Sequence, residues 1–233
     1  MSLSFESFTL AAATDDLSEE PAARNHADCV EFRMDLASGP LDSLESYTGE
    51  LPLLVTNRAA WEGGNADDEG RLSELETALE YDFVRAIDIE LAALEPDGRG
   101  DIERARELTE QASKADATVV VSTHDFESTP PKPTMADRLR QANEFGDIGK
   151  IAVTATDRED ALSVLSVTHE LTNAGVSVAT MAMGQAGSHT RAVAPVYGSK
   201  IGYAPIDPAK ATAPGQYDLE TLRKLVEQLS NRE

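Results

Sequence analysis

The sequence is short of several things, and each shortage removes a class of function. A single cysteine, Cys29, among 233 residues excludes an intrachain disulfide and a cysteine-built metal site. No apolar run reaches the roughly eighteen residues of a membrane-spanning helix. The opening MSLSFESF lacks the basic and apolar regions of a signal peptide, so a cytoplasmic location is expected. No H-E-x-x-H occurs and no carboxylate cluster has metal-loop spacing, so neither metal nor cofactor is expected. Cations are scarce too: six lysines and fourteen arginines stand against 42 acidic residues, a formal charge of −22. Such a surface repels polyanions, which argues against nucleic acid or an anionic membrane as partner. Acids spread through helical segments, with few lysines, resemble the proteins of salt-accumulating organisms, whose carboxylate-rich surfaces stay hydrated in concentrated salt. A halophilic protein is expected.

What is present is a regular alternation. Eight strand-like runs can be marked: FTLAAA, CVEFRMD, LLVTNR, AIDIEL, TVVVSTHD, IGKIAVTA, SVATMAM and IGYAPI. Between most of them apolar residues recur at helical spacing, as in Leu72, Leu75 and Leu79, or Ile102, Ala105 and Leu108, or Leu162 and Leu165, and after the last run in Leu222, Val226 and Leu229. Asp157 can cap a helix that Gly175 ends, Thr134 with Asp137 resembles a capping box, and Asp218 precedes the last helix. Strand alternating with helix implies a parallel sheet with right-handed crossovers. Eight such units over residues 1–233 fit a single-domain α/β fold, the closed (β/α)8 TIM barrel. An open doubly wound sheet is the competing architecture, weakened because AAATDDLSEE stands where its G-x-G-x-x-G turn would follow the first strand.

In a barrel the chemistry sits at the C-terminal ends of the strands. Charged residues collect there: Glu31, Arg33 and Asp35 alternate on the second strand, Arg58 ends the third with Glu62 on the loop beyond, and Asp88 and Glu90 alternate on the fourth. His124 and Asp125 end the fifth, Lys150 lies on the sixth, and GQAGSHTR leads from the seventh to Arg191. Each alone has an ordinary explanation. Glu31 and Arg33 could form a simple ion pair at the mouth, His124 could be a core histidine, and Lys150 could snorkel outward between helices. Independent ion pairs would not place glutamate, arginine, histidine and lysine at the active ends of five strands.

An inward lysine near arginines is a candidate Schiff-base nucleophile, because desolvation and neighbouring cations favour its neutral amine. A histidine within reach can remove the proton that an imine acidifies. Glu62 could orient that histidine, Arg58 or Arg191 could hold a carboxylate bidentately, and Glu31 could accept from hydroxyls. The implied substrate is a small hydroxylated keto acid.

The motifs EFRMD, TNRAAWEGG, STHDF, GKIAVTA, MAMGQAGSHTR and TAPGQ occur in the order and spacing of the type I 3-dehydroquinate dehydratases, a resemblance running from about residue 28 to the C-terminus. It implies that Lys150 forms the imine, that His124 is the general acid/base and that Glu62 is its carboxylate partner. Glu31, Arg33, Arg58, Arg191 and Gln216 match substrate-binding positions, as does Thr212, where the family often has serine. The resemblance also implies a (β/α)8 barrel, commonly a homodimer, that needs no metal and converts 3-dehydroquinate to 3-dehydroshikimate in the shikimate pathway. A polar residue often found near the end of the family's first strand has no equivalent in TLAAATDD. Two rivals remain at this point: a Schiff-base aldolase or transaldolase acting on sugar phosphates, and a barrel that only binds a carboxylate metabolite.

Overall fold

Each of the eight apolar runs forms a strand, and all pair in parallel: β1 (Thr9–Thr14), β2 (Cys29–Arg33), β3 (Leu53–Thr56), β4 (Val84–Glu90), β5 (Thr118–Asp125), β6 (Ile148–Thr154), β7 (Val178–Met183) and β8 (Ile201–Pro205). The computed structural model describes residues 3–210 and 215–230. A continuous ladder runs β7-β6-β5-β4-β3-β2-β1-β8. The remaining seam, between β7 and β8, is bridged by the Lys200 N–H on the Val178 carbonyl at 2.7 Å and by the Thr180 N–H on Ser199 Oγ at 3.0 Å. The result is a nearly closed (β/α)8 barrel, and no helix among the described residues is long and apolar enough to cross a membrane.

The crossovers carry α1 (Glu20–Ala23), α2 (Pro40–Glu45), α3 (Asp68–Ala78), α4 (Ile102–Lys114), α5 (Lys132–Phe145), α6 (Arg158–Asn173), α7 (Gly184–Gly187) and α8 (Thr190–Val193), with α9 (Leu219–Ser230) after β8. Asp157 caps α6, accepting from Glu159 and Asp160 N–H, Gly175 follows its end at φ +79°, and Asp218 accepts from Thr221 N–H at the start of α9. The capping box at Thr134 does not form. Pro133 fits the first turn, where its missing N–H is not needed, so α5 begins at Lys132 and Thr134 is already inside it. Leu162 also departs from its expected place: Ala161, Val164 and Leu165 cover the sheet, and Leu162 points to solvent.

Period-two alternation divides the buried residues into an inside and an outside of the barrel. Outside, three apolar clusters join the sheet to the helices. Inside, Cys29, Leu54, Ala86, Val120, Ile148, Ala179 and Ile201 pack together, with Leu3 and Phe5 partly buried against them from the N-terminal end. Cys29 is wholly buried there, and burial pushes its thiol well above the usual range. One step above this apolar layer, toward the strands' C-terminal ends, the inward positions of β2 to β6 turn polar.

Candidate active site

Two residues beyond Ile148 on β6 stands Lys150. The preceding Gly149 is bare for a reason: a Cβ there would lie 2.7 Å from the Leu139 carbonyl and 2.6 Å from Asn143 Nδ2. The absent side chain lets α5 press on the strand's outer side while Lys150 points inward, only 5% exposed. Lys150 Nζ lies 2.9 Å from Asp88 Oδ2 and 4.4 Å from the centroid of the Tyr203 ring. Asp88 Oδ1 accepts from Ser122 Oγ at 2.6 Å and from Arg58 Nη2 at 2.7 Å. The sequence placed arginines near this amine; in the structure a carboxylate stands between it and Arg58. Burial would raise the Asp88 carboxyl, but Arg58 and Lys150 outweigh it and hold the group below the usual carboxylate range.

His124, at the end of β5, faces Glu62 across the cleft. Glu62 Oε1 accepts the His124 backbone N–H at 2.8 Å and lies 3.2 Å from its Nδ1. With Nδ1 turned to the carboxylate, Nε2 is left for a reacting group. The imidazole stacks on Phe126 at 5.8 Å. Burial pushes His124 well below its ordinary 6.5, helped by the charges of Arg58 and Lys150, so the ring is neutral at pH 7. Burial also raises Glu62, to about 7; Glu90 and Asp88 add to this, and Arg58 and the His124 N–H oppose it. Glu62 is delivered by a short turn, Ala60–Glu62, ended by Gly63 at φ +81°. A Cβ on Gly64 would meet the Arg58 carbonyl at 2.1 Å, so only glycine lets the loop fold back on itself there.

The arginines differ sharply in occupancy. Arg58 is committed: Nη1 bonds Ser122 Oγ at 2.7 Å, Nη2 bonds Asp88, and Glu90 Oε1 lies 3.2 Å away. Arg33 pairs with Asp35 at 2.7 and 2.8 Å, and not with Glu31, which accepts instead from Thr56 Oγ1 at 3.0 Å. Arg191, equally buried, has no partner among the described residues for Nε or Nη2. Burial lowers it to about 10, which still leaves a full positive charge at pH 7. A buried cation with open donors is a site for an anion.

These groups line one cleft of about 600 Å³, counting its solvent-open part. Of the site residues anticipated from sequence, Lys150, His124, Glu62, Glu31, Arg33, Arg58, Arg191 and Gln216 all face it; Thr212 lies outside the described residues. Met181, Met183 and Ala152 supply an apolar wall. Beside these apolar groups and Phe126, three polar contributors had not been anticipated: Thr56, Ser122 and Tyr203. Ser122 could have been found, since it shares the inward face of β5 with His124 and pairs in register with Lys150.

Comparison with known proteins places this geometry in context. The family model described as Type I 3-dehydroquinase matches residues 7–233. A 3-dehydroquinate dehydratase from Haloarcula marismortui is 60% identical over 230 residues, covering 98% of this chain and 99% of its own. Among solved structures, the 3-dehydroquinate dehydratase of Geobacillus kaustophilus superposes with a TM-score of 0.83 at 27% identity, over 98% of this chain and 93% of that one. The type I 3-dehydroquinate dehydratase of Clostridium difficile, solved with covalently modified comenic acid, gives a TM-score of 0.82 at 26% identity, covering 96% and 92%.

Proposed function

The chain belongs to the type I 3-dehydroquinase family, enzymes that dehydrate 3-dehydroquinate in the shikimate pathway, and from that premise we propose that Lys150 and His124 carry the reaction. The Lys150 nitrogen attacks the ketone carbon of 3-dehydroquinate; the proton that its ammonium sheds to free the lone pair passes to the departing oxygen, which leaves as water from a protonated imine. That nitrogen keeps the positive charge of the original ammonium, so Asp88, at 2.9 Å, remains its counter-ion through the step. The imine acidifies the C–H beside it. His124 Nε2 takes that proton, the electron pair moves toward nitrogen as an enamine, and its collapse expels the hydroxyl one carbon further on, which His124 protonates to water. Hydrolysis of the conjugated imine frees Lys150 and 3-dehydroshikimate.

The observation that carries this reading is the convergence in one cleft of a buried lysine, a neutral histidine held by Glu62, and the guanidinium of Arg191, whose Nε and Nη2 have no partner among the described residues. Arg191 takes the substrate carboxylate, with Glu31, Arg33, Arg58, Thr212 and Gln216 as further substrate-binding residues. No metal or organic cofactor takes part in this scheme, which fits one catalytic domain over residues 1–233. We further propose a cytoplasmic homodimer that engages neither nucleic acid nor membrane and is adapted to high salt. The charge of −22 and the Haloarcula relative support the last point, for which a thermal midpoint rising steeply with potassium chloride is the expected sign.

Borohydride tests the mechanism. Reduction in the presence of 3-dehydroquinate should add one ligand mass to the Lys150 peptide and abolish activity. Labelling at Lys114, Lys132, Lys200, Lys210 or Lys224 instead overturns it. Turnover of a sugar phosphate in place of 3-dehydroquinate selects the aldolase reading.

A further inference from the structure

Glu90 sits at the C-terminal end of β4, 0% exposed, one inward step beyond Asp88. Its oxygens face three groups from two different elements. Oε1 accepts the backbone N–H of Ala59 at 3.0 Å and lies 3.2 Å from Arg58 Nη1. Oε2 pairs at 2.8 Å with Nη1 of Arg71, a residue of α3 that is itself 2% exposed. Ala59 is the pivot of the turn that bears Glu62: its carbonyl accepts from the N–H of Glu62 and of Gly64, both at 3.0 Å. Arg71 grips the same loop from behind, donating to the Asn57 carbonyl at 3.4 Å and lying 5.7 Å from the Trp61 ring centroid. Asn57 returns a bond from Nδ2 to the Arg71 carbonyl at 3.1 Å.

A wholly buried carboxylate shared between two arginines and a loop amide is expensive to desolvate, so its presence behind an otherwise ordinary turn calls for a use. From this arrangement, and resting on the roles proposed for Glu62 and His124, we infer that Glu90 is a positioning residue: with Arg71 behind it, it fixes the 57–64 loop so that Glu62 meets His124 and Arg58 keeps its place beside Asp88. It acts through those residues and does not touch the reacting atoms. Glu90 also acts at a distance. Its negative charge is one of those holding Glu62 near 7, alongside Asp88 of the same strand and against Arg58 of the loop. Glu31 and Arg33 of β2, His124 of β5, Lys150 of β6, Arg191 of α8 and Tyr203 of β8 are the other charged and titratable groups lining the cleft.

Trp61, the only tryptophan in the chain, lies inside the loop and reports on it without substrate. In Glu90→Gln the acceptor for Ala59 N–H survives while the charge is lost. The expected result has three parts. Acrylamide quenching of Trp61 increases. The turnover rate falls about 10- to 100-fold while borohydride still traps ligand at Lys150. The acidic limb of kcat/KM moves to lower pH, because removing a like charge lowers the Glu62 carboxyl. Arg71→Lys, which keeps a cation but loses the fork, should raise quenching and lower kcat less, and it decides the matter if Glu90→Gln does not fold. Quenching and pH limb both unchanged overturn the inference even if activity drops, since the effect is then not transmitted through the loop. A wild-type chain inert toward 3-dehydroquinate overturns the catalytic roles instead, and the quenching comparison still judges Glu90.

Discussion

Two layers of one barrel interior, a single inward step apart on the same strands, have opposite characters. At the lower level stand Cys29, Leu54, Ala86, Val120 and Ile148; one step up, the same strands carry Glu31, Thr56, Asp88, Ser122 and Lys150. The backbone at both levels is the same ladder, so the contrast is wholly one of side chains. The lower layer is held by volume and exclusion of water, and tolerates any set of apolar groups that fills it. The upper layer is held by matched charge, where removal of one partner leaves the other buried and costs about 3–5 kcal/mol. Arg191 of α8, at the edge of that layer, is the exception: its Nε and Nη2 have no partner among the described residues.

The most drastic way to erase the contrast is to make the upper layer apolar where it matters most. Lys150→Met should lower turnover at least about a thousandfold, read by absorbance of the conjugated product, yet leave a folded chain, because Asp88 keeps Arg58 and Ser122. Residual activity within tenfold of wild type would mean that the layers do not divide chemistry from packing. His124→Ala should lose at least about a hundredfold with borohydride labelling of Lys150 retained; loss of labelling as well would assign the histidine to imine formation. Arg191→Lys keeps the charge but not the planar fork, and should weaken substrate binding about tenfold by calorimetry. An unchanged affinity moves the carboxylate to another cation.

Lower in the barrel the same logic reverses. Ile148→Val, directly beneath Lys150, should reduce stability to urea by about 1 kcal/mol and leave kcat alone. The smallest effect concerns pH. Folded Glu62 stays protonated up to about 7, whereas its ordinary value is 4.5, so between those values the unfolded chain has released a proton that the folded chain keeps. That group therefore erodes stability as pH rises through the window. Glu62→Gln removes the erosion, and its thermal midpoint relative to wild type should climb from pH 5 to pH 7. A difference flat across that range would place the Glu62 carboxyl at its ordinary value.

The layers also explain what could be read from the sequence. Strands were legible because apolar runs between turn signals have few other uses, and TVVVSTHD coincides with β5 residue for residue. Lys150 and His124 could be picked out because a titratable group within an apolar strand is conspicuous, and Arg191 because it follows the glycine turn after β7. Ser122, Thr56 and Tyr203 were not, because serine, threonine and tyrosine are unremarkable in a strand until the neighbouring strand's register puts Lys150 or Glu31 beside them. Asp88 and Glu90 were seen at their positions, yet their partners come from the β3 loop, α3, β5 and β6, a convergence that linear spacing does not encode. Thr134 misled because a capping pattern is local, and with Pro133 in the first turn the helix starts ahead of it.

The lone thiol at the bottom of the barrel gives the molecule a built-in clock. Cys29 is sealed within the apolar layer and its thiolate is strongly disfavoured, so an alkylating reagent can reach it only in molecules whose strands have parted. With no second thiol in the chain to compete, each alkylated protein records one opening. The rate of labelling in excess reagent therefore counts how often the whole cylinder comes apart, independently of anything happening at its mouth.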